Sequence, residues 1–267
     1  MYQVTNFLEN KNISVTENKG PFKVAEYISD LSVSPHNAVT AYFSSVMNVR
    51  RRQLVCDLNA TEGMRLQSGA VQWMLGNVEM VSGIKSVGGL IGNAIKGKVS
   101  GESAVKPIYQ GSGIVTTEPT FKFLLLEDLS SWNGAIVVED GMFLASESKV
   151  NMEIVHRTTV SSALAGGEGL FNLCMTGNGI VCLESPYPRE ELIEIVLDND
   201  VVKIDGSMAV CWSKSLQFTV ERSAKTLVGS AMSGEGLVNV YRGTGKILMA
   251  PVASYEPPIL QNIANQG

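Results

Sequence analysis

Short apolar runs alternate with glycine, aspartate and asparagine along most of the chain. FKFLLLED (121–128) and ELIEIVLDND (191–200) end in turn-forming residues, and IVVED (136–140) and VVKID (201–205) run into Asp-Gly. LFNLCMT (170–176) and IVCLE (180–184) flank Gly177 and Gly179. Runs of four to eight residues rich in Val, Ile, Leu and Phe, bounded by such residues, predict strands. The paired glycines predict hairpins whose turns need positive φ. An all-β fold is expected.

The pattern repeats. Asp140-Gly141 corresponds to Asp205-Gly206, Gly167-Glu168-Gly169-Leu170 to Gly234-Glu235-Gly236-Leu237, Gly177 and Gly179 to Gly243 and Gly245, and Pro186 to Pro251, at an offset of 65 to 67 residues. A more divergent copy lies upstream, with Ser68-Gly69, Gly101-Glu102-Ser103, Gly111-Ser112-Gly113 and Pro119 in the matching places. The expected organisation is one β domain over 51–255, in units of about 51–120, 121–187 and 188–255. An N-terminal extension (1–50) packs on the same body, and a tail follows (256–267). A single unit buries its apolar face poorly, so three are expected to share one core with pseudo-threefold symmetry.

One stretch departs from the strand pattern. In VSGIKSVGGLIGNAIKGK (81–98), Ile84, Val87 and Ile91 recur at helical spacing, which predicts one short helix weakened by Gly88, Gly89 and Gly92. Its charges are Lys85, Lys96 and Lys98. Such a segment suits either a lid over the β body, the preferred reading, or a contact with an anionic membrane surface or a partner. Gly92–Lys98 also fits GxxxxGK, but Val99 stands where a phosphate loop needs Ser or Thr, so nucleotide binding is not expected.

Composition narrows the function further. A net charge of −5 argues against a nucleic-acid surface, because phosphate binding rests on clustered Lys and Arg. The one basic run, Arg50-Arg51-Arg52, reads as a solvated strand edge. Cys56, Cys174, Cys182 and Cys211 form no CxxC pair and no grouping with the two histidines. With no leader-like N-terminus and no long apolar window, a soluble, reducing, cytoplasmic setting is expected, with peripheral membrane contact the one extension of it.

Candidate chemistry is sparse. His36, in SVSPHNAV, and His156, in EIVHRTT, lie near no nucleophile signature, and no zinc spacing occurs. Glu102, Glu168 and Glu235 occupy matching places in the three units and under threefold symmetry would form a ring able to hold a cation. The preferred alternative is that each carboxylate accepts N–H bonds from its own glycine turn. Trp73, Met74, Met80, Met142, Phe143, Met152, Met208 and Trp212 read as core fillers.

The run SGAVQWMLGNVEM, the glycine-rich insert, SGESAVKPIYQGSGIV, and Gly-Glu-Gly-Leu with Gly-Asn-Gly-Ile-Val at 167–181 together resemble the family named for altered inheritance of mitochondria protein 24, over about 51–252. The resemblance implies three repeats, each like a subunit of the tryptophan RNA-binding attenuation protein. In family terms that is a β-sandwich or double-stranded β-helix body. It implies no catalytic residues, and the attenuation protein's lysine-rich RNA edge has no counterpart. The expected function is a non-enzymatic scaffold or interaction protein, oligomeric and membrane-peripheral, acting through self-association or an unidentified protein partner. The alternative is a small-molecule or cation-binding module in clefts between repeats or at the repeated glutamates. No tightly bound cofactor is expected.

Overall fold

Apolar residues that alternate or run in short blocks bury best as sheet, and the described residues form little else. The structure is a computed structural model describing residues 2–81, 106–156, 158–159, 171–206, 208–222 and 237–252. Among the described residues there are seventeen strands and one α-helix. The N-terminal region gives β1 (Ile13–Lys19), β2 (Phe22–Tyr27) and α1 (Ala38–Val46). Next come β3 (Arg52–Asp57), β4 (Met64–Leu66), β5 (Val71–Val81) and β6 (Ile108–Thr117). The middle of the chain gives β7 (Phe123–Asp128), β8 (Ala135–Val138), β9 (Phe143–Glu147), β10 (Asn151–His156), β11 (Thr158–Thr159), β12 (Phe171–Thr176) and β13 (Ile180–Ser185). The last are β14 (Ile193–Asp205), β15 (Ala209–Ser213), β16 (Gln217–Arg222) and β17 (Leu237–Met249).

The fold is all-β, in two sheets. The first has the order β1-β2-β3-β6-β4-β9-β13-β7, with β5 also on β6. The second has the order β10-β12-β8-β15-β17-β16-β11, with β14 also on β17. The first sheet nearly closes on itself. Lys19 on β1 donates its Nζ to the Leu126 carbonyl of β7, and the Leu126 amide donates to Glu17 Oε2 at 3.4 Å. Side chains of β1 thus satisfy both backbone groups of Leu126 on β7, which makes that edge less open to a foreign strand.

Aspartates end strands as their turn chemistry predicts. Asp57 and Asp128 each accept the amide two residues on, Asn59 at 2.9 Å and Ser130 at 2.8 Å, capping a one-turn 3-10 helix. Each turn then drops a leucine, Leu58 or Leu129, into the core. The core falls into three clusters, around Leu54, Leu66 and Leu126, around Trp132, Ile136 and Met175, and around Trp212, Tyr241 and Ile247.

Two sequence expectations are corrected. The G-x-G elements are not hairpin turns. β12 pairs with β10 and β8, whereas β13 pairs with β7 and β9 in the other sheet. Gly177 and Gly179 therefore mark a bend between two consecutive strands in different sheets, and the corresponding β6 and β17 run through as single strands. Positive φ is needed in either geometry, so the glycines alone do not distinguish them. Met74 and Met80 are not core fillers either. Both are exposed on β5, whereas Phe143 and Trp212 are buried. Of the helix expected at 81–98, Val81 ends β5 and residues 82–98 lie outside the described residues; α1, in the N-terminal region, was not expected.

The same backbone contacts recur along the chain. Glu118 N donates to Ala70 O at 2.7 Å, Glu184 N to Met142 O at 2.7 Å, and Ala250 N to Met208 O at 2.8 Å. Each bond opens an antiparallel pairing in which the strand after the acceptor carries a one-residue bulge, at Gln72, Leu144 and Val210.

Candidate interaction surface

Residues 38–49, AVTAYFSSVMNV, carry no charge. Their first nine residues form α1, in which no residue is buried. Val39, Tyr42, Phe43, Val46 and the flanking Met47 are 60–74% exposed. Leu31 and Phe121 are exposed as well, and the Tyr42 and Phe43 rings meet edge-on at 5.4 Å. A groove of about 580 Å³ runs between the helix and the sheet, with Tyr27, Ile28, Ala41, Val46 and Phe121 among its walls. Isolated exposed apolar residues are ordinary, but this many on one short helix make it the candidate contact surface.

The helix is held by its C-terminal end. Ser45 Oγ donates to Ile28 O at 2.7 Å, and Arg50 Nε donates to Ser45 O at 2.9 Å. Arg52 donates through Nη2 to Asn48 O at 3.0 Å and to Asn48 Oδ1 at 2.8 Å. The expectation of a solvated strand edge therefore fails at Arg52, while Arg50 and Arg51 stay partly exposed. Arg52 is 3% exposed, pairs with the buried Glu26 (Nε to Oε2, 2.9 Å) and lies 3.9 Å over the Phe123 ring. Arg50 donates to the other Glu26 oxygen at 2.8 Å, and Arg51 pairs with Asp30 at 2.5 Å. Burial lowers the Arg52 pKa, and the Glu26 carboxylate opposes that shift. Arg52 and Arg50 thus tie the buried Glu26 to the segment around α1, while Arg51 is paired with Asp30 nearer the surface.

The other sequence candidates do not converge. Glu102, Glu168 and Glu235 lie outside the described residues, as do Ile84, Lys85, Val87, Ile91, Lys96 and Lys98. His36 is exposed in the turn before α1. Among the described residues no group of three His, Cys, Asp or Glu side chains is placed to hold a metal, and no helix is long and apolar enough to cross a membrane. All four cysteines are buried free thiols. Burial pushes the Cys174 thiol up to about 12 and raises the other three as well. Ellman's reagent is therefore expected to titrate no thiol in the folded protein within minutes, and all four after denaturation. A rapidly reacting thiol in the native state would contradict this burial.

α1 was missed in the sequence although a signal was present, since Val39, Tyr42, Phe43 and Val46 stand at i, i+3, i+4 and i+7. The family model described as Mitochondrial biogenesis AIM24 matches residues 45–252. The chain belongs to the AIM24 family. The match begins in the last turn of α1, so β1, β2 and most of the exposed helix of this AIM24 protein precede it. An uncharacterized protein of Streptococcus pyogenes serotype M6 is 27% identical over 198 residues, covering 72% of this chain and 77% of its own. A Streptococcus pyogenes protein of known crystal structure shares the fold, with a TM-score of 0.56 and 24% identity over 82% of this chain and 94% of that one.

Proposed function

We propose that this AIM24 family chain is a non-enzymatic interaction protein, built from three copies of one strand unit, that seats α1 against a lipid surface. One observation carries the reading. Val39, Tyr42, Phe43, Val46 and Met47 project from a helix with no buried residue, in a segment without charge. Each large apolar side chain withdrawn from water contributes on the order of 1.5–3 kcal/mol, so insertion of a few supports reversible binding. A protein groove would normally add charged or hydrogen-bonding partners for register. α1 itself presents only apolar and hydroxyl side chains, and the charged groups of the groove beside it, Asp30, Arg50 and Arg51, are already paired.

α1 and the basic 81–98 segment differ in what they need from a membrane. Apolar insertion needs no anionic lipid, whereas contact through Lys85, Lys96 and Lys98 requires it. In vesicle co-sedimentation the native protein is expected to bind neutral phosphatidylcholine and phosphatidylserine-containing vesicles to a similar degree. Phe43→Ser with Val46→Ser is expected to weaken both at least tenfold, and Lys85, Lys96 and Lys98 changed together to Glu should leave binding intact. Binding confined to anionic vesicles and lost in the lysine variant, or no binding by the native chain, would overturn the assignment to α1.

A further inference from the structure

Consecutive parts of the chain are joined by one backbone pairing, used twice. At the first junction Met64, Arg65 and Leu66 of β4 pair with Glu147, Ser146 and Ala145 of β9. Ser148 N donates to Gly63 O at 2.9 Å, and Gln67 N donates to the carbonyl of the bulge residue Leu144 at 2.8 Å. At the second junction Ile136, Val137 and Val138 of β8 pair with Ser213, Trp212 and Cys211 of β15. Lys214 N donates to Ala135 O at 3.4 Å, and Glu139 N donates to the carbonyl of the bulge residue Val210 at 3.1 Å. The two junctions match bond for bond.

Both halves of a third junction exist, unjoined. β5 carries the matching bulge at Gln72 opposite β6, and Val201–Asp205 of β14 lie on β17 as β8 lies on β12. Among the described residues β5 pairs only with β6 and β14 only with β17, and they lie in different sheets. Phe7 packs on Trp73 and the Tyr2 ring lies near Gly76, but neither residue makes a backbone bond to β5. Met74 on the one strand and Val196 and Val201 on the other are exposed. Unpaired edges of this kind template the addition of another chain.

We propose that β14 of one copy of this chain pairs antiparallel with β5 of a second copy, in the register of the internal junctions. Val202 then stands opposite Leu75, Lys203 opposite Met74 and Ile204 opposite Trp73, with Gly76 N donating to Val201 O and Asp205 N donating to Gln72 O. The two surfaces differ, so the contact is heterologous and runs head to tail, closing into a ring or extending. The occupant is a second copy because the fitting edge is one this chain already carries, in the register it already uses. This self-association is independent of whether α1 meets lipid.

The pairing is tested on the full chain by sedimentation velocity over a range of concentrations. The native protein is expected to gain mass with concentration. Met74→Lys sets a like charge opposite Lys203 and is expected to weaken association about five- to tenfold. Adding Lys203→Glu to that variant restores it. Both side chains are exposed, so folding is preserved. As a second measurement, Met74→Cys with Lys203→Cys is oxidised and run without reductant. Disulfide-linked multimers are expected. A native monomer at every concentration, indifference to Met74→Lys, or a disulfide found only at monomer mass would overturn the proposal, the last by showing that the two edges meet within one chain.

Discussion

Replacing Arg52 with methionine is expected to lower stability by about 3–5 kcal/mol, because it strips the main partner from a buried carboxylate. Glu26 is 7% exposed and accepts from Arg52 at 2.9 Å and from the more exposed Arg50 at 2.8 Å. With Arg52 gone, Arg50 alone must hold a largely dehydrated charge. The Asn48 carbonyl beyond α1 also loses its donor, as does the Asn48 side chain. The variant should therefore lower the urea midpoint and also speed amide exchange across residues 38–49 more than across β12 or β15. Combining Arg52→Met with Glu26→Gln should recover part of the loss, since removing both charges leaves no buried ion without its partner. A change below 1 kcal/mol, or exchange no faster around α1, would contradict the role given to this ion pair.

Gly113→Ala is expected to cost about 2–4 kcal/mol, from backbone strain together with overpacking. Gly113 has φ +149°, and a Cβ there would stand 2.0 Å from the Leu75 carbonyl oxygen of β5. The paired strand would have to move. Gly141 supplies the control. Its φ is +76°, but no atom lies within 4 Å of an added Cβ, so alanine there should cost only about 1–2 kcal/mol. Chemical denaturation of the two variants side by side checks the order. Equal losses would show that the G-x-G element demands positive φ alone and not close approach to the neighbouring strand.

The strands were legible because their cause is local. FKFLLLED and VVKID announce themselves by apolar runs and by the aspartates that end them, and the structure places strands over both. Partners were less legible. Gly177 and Gly179 have the positive φ that a hairpin and a bend between sheets both use, so only pairing distant in sequence decides between them. The Arg50–Arg52 run looked solvated because its acids, Glu26 and Asp30, lie more than twenty residues upstream and meet it only when β2 pairs with β3. Met74 and Met80 looked like core because exposure on a strand depends on which face the sheet covers. The α1 signal was fully local at i, i+3, i+4 and i+7, yet four positions compete poorly with the surrounding strand pattern. The residues first considered for chemistry, Glu102, Glu168 and Glu235, and residues 82–98 lie outside the described residues, and the surface that carries the functional reading came from neither.

The most direct test of that reading is a site-resolved one, made feasible by the burial of all four native cysteines. Val46→Cys places a single accessible thiol on the exposed face of α1 for an environment-sensitive nitrobenzoxadiazole label. On addition of phosphatidylcholine vesicles the account predicts a blue shift and several-fold brightening of the label, with no change for the same label at an exposed site on β14 such as Val196→Cys. Emission from position 46 that stays at its aqueous wavelength while the protein co-sediments with the vesicles would contradict the claim that α1 is the face that meets the lipid.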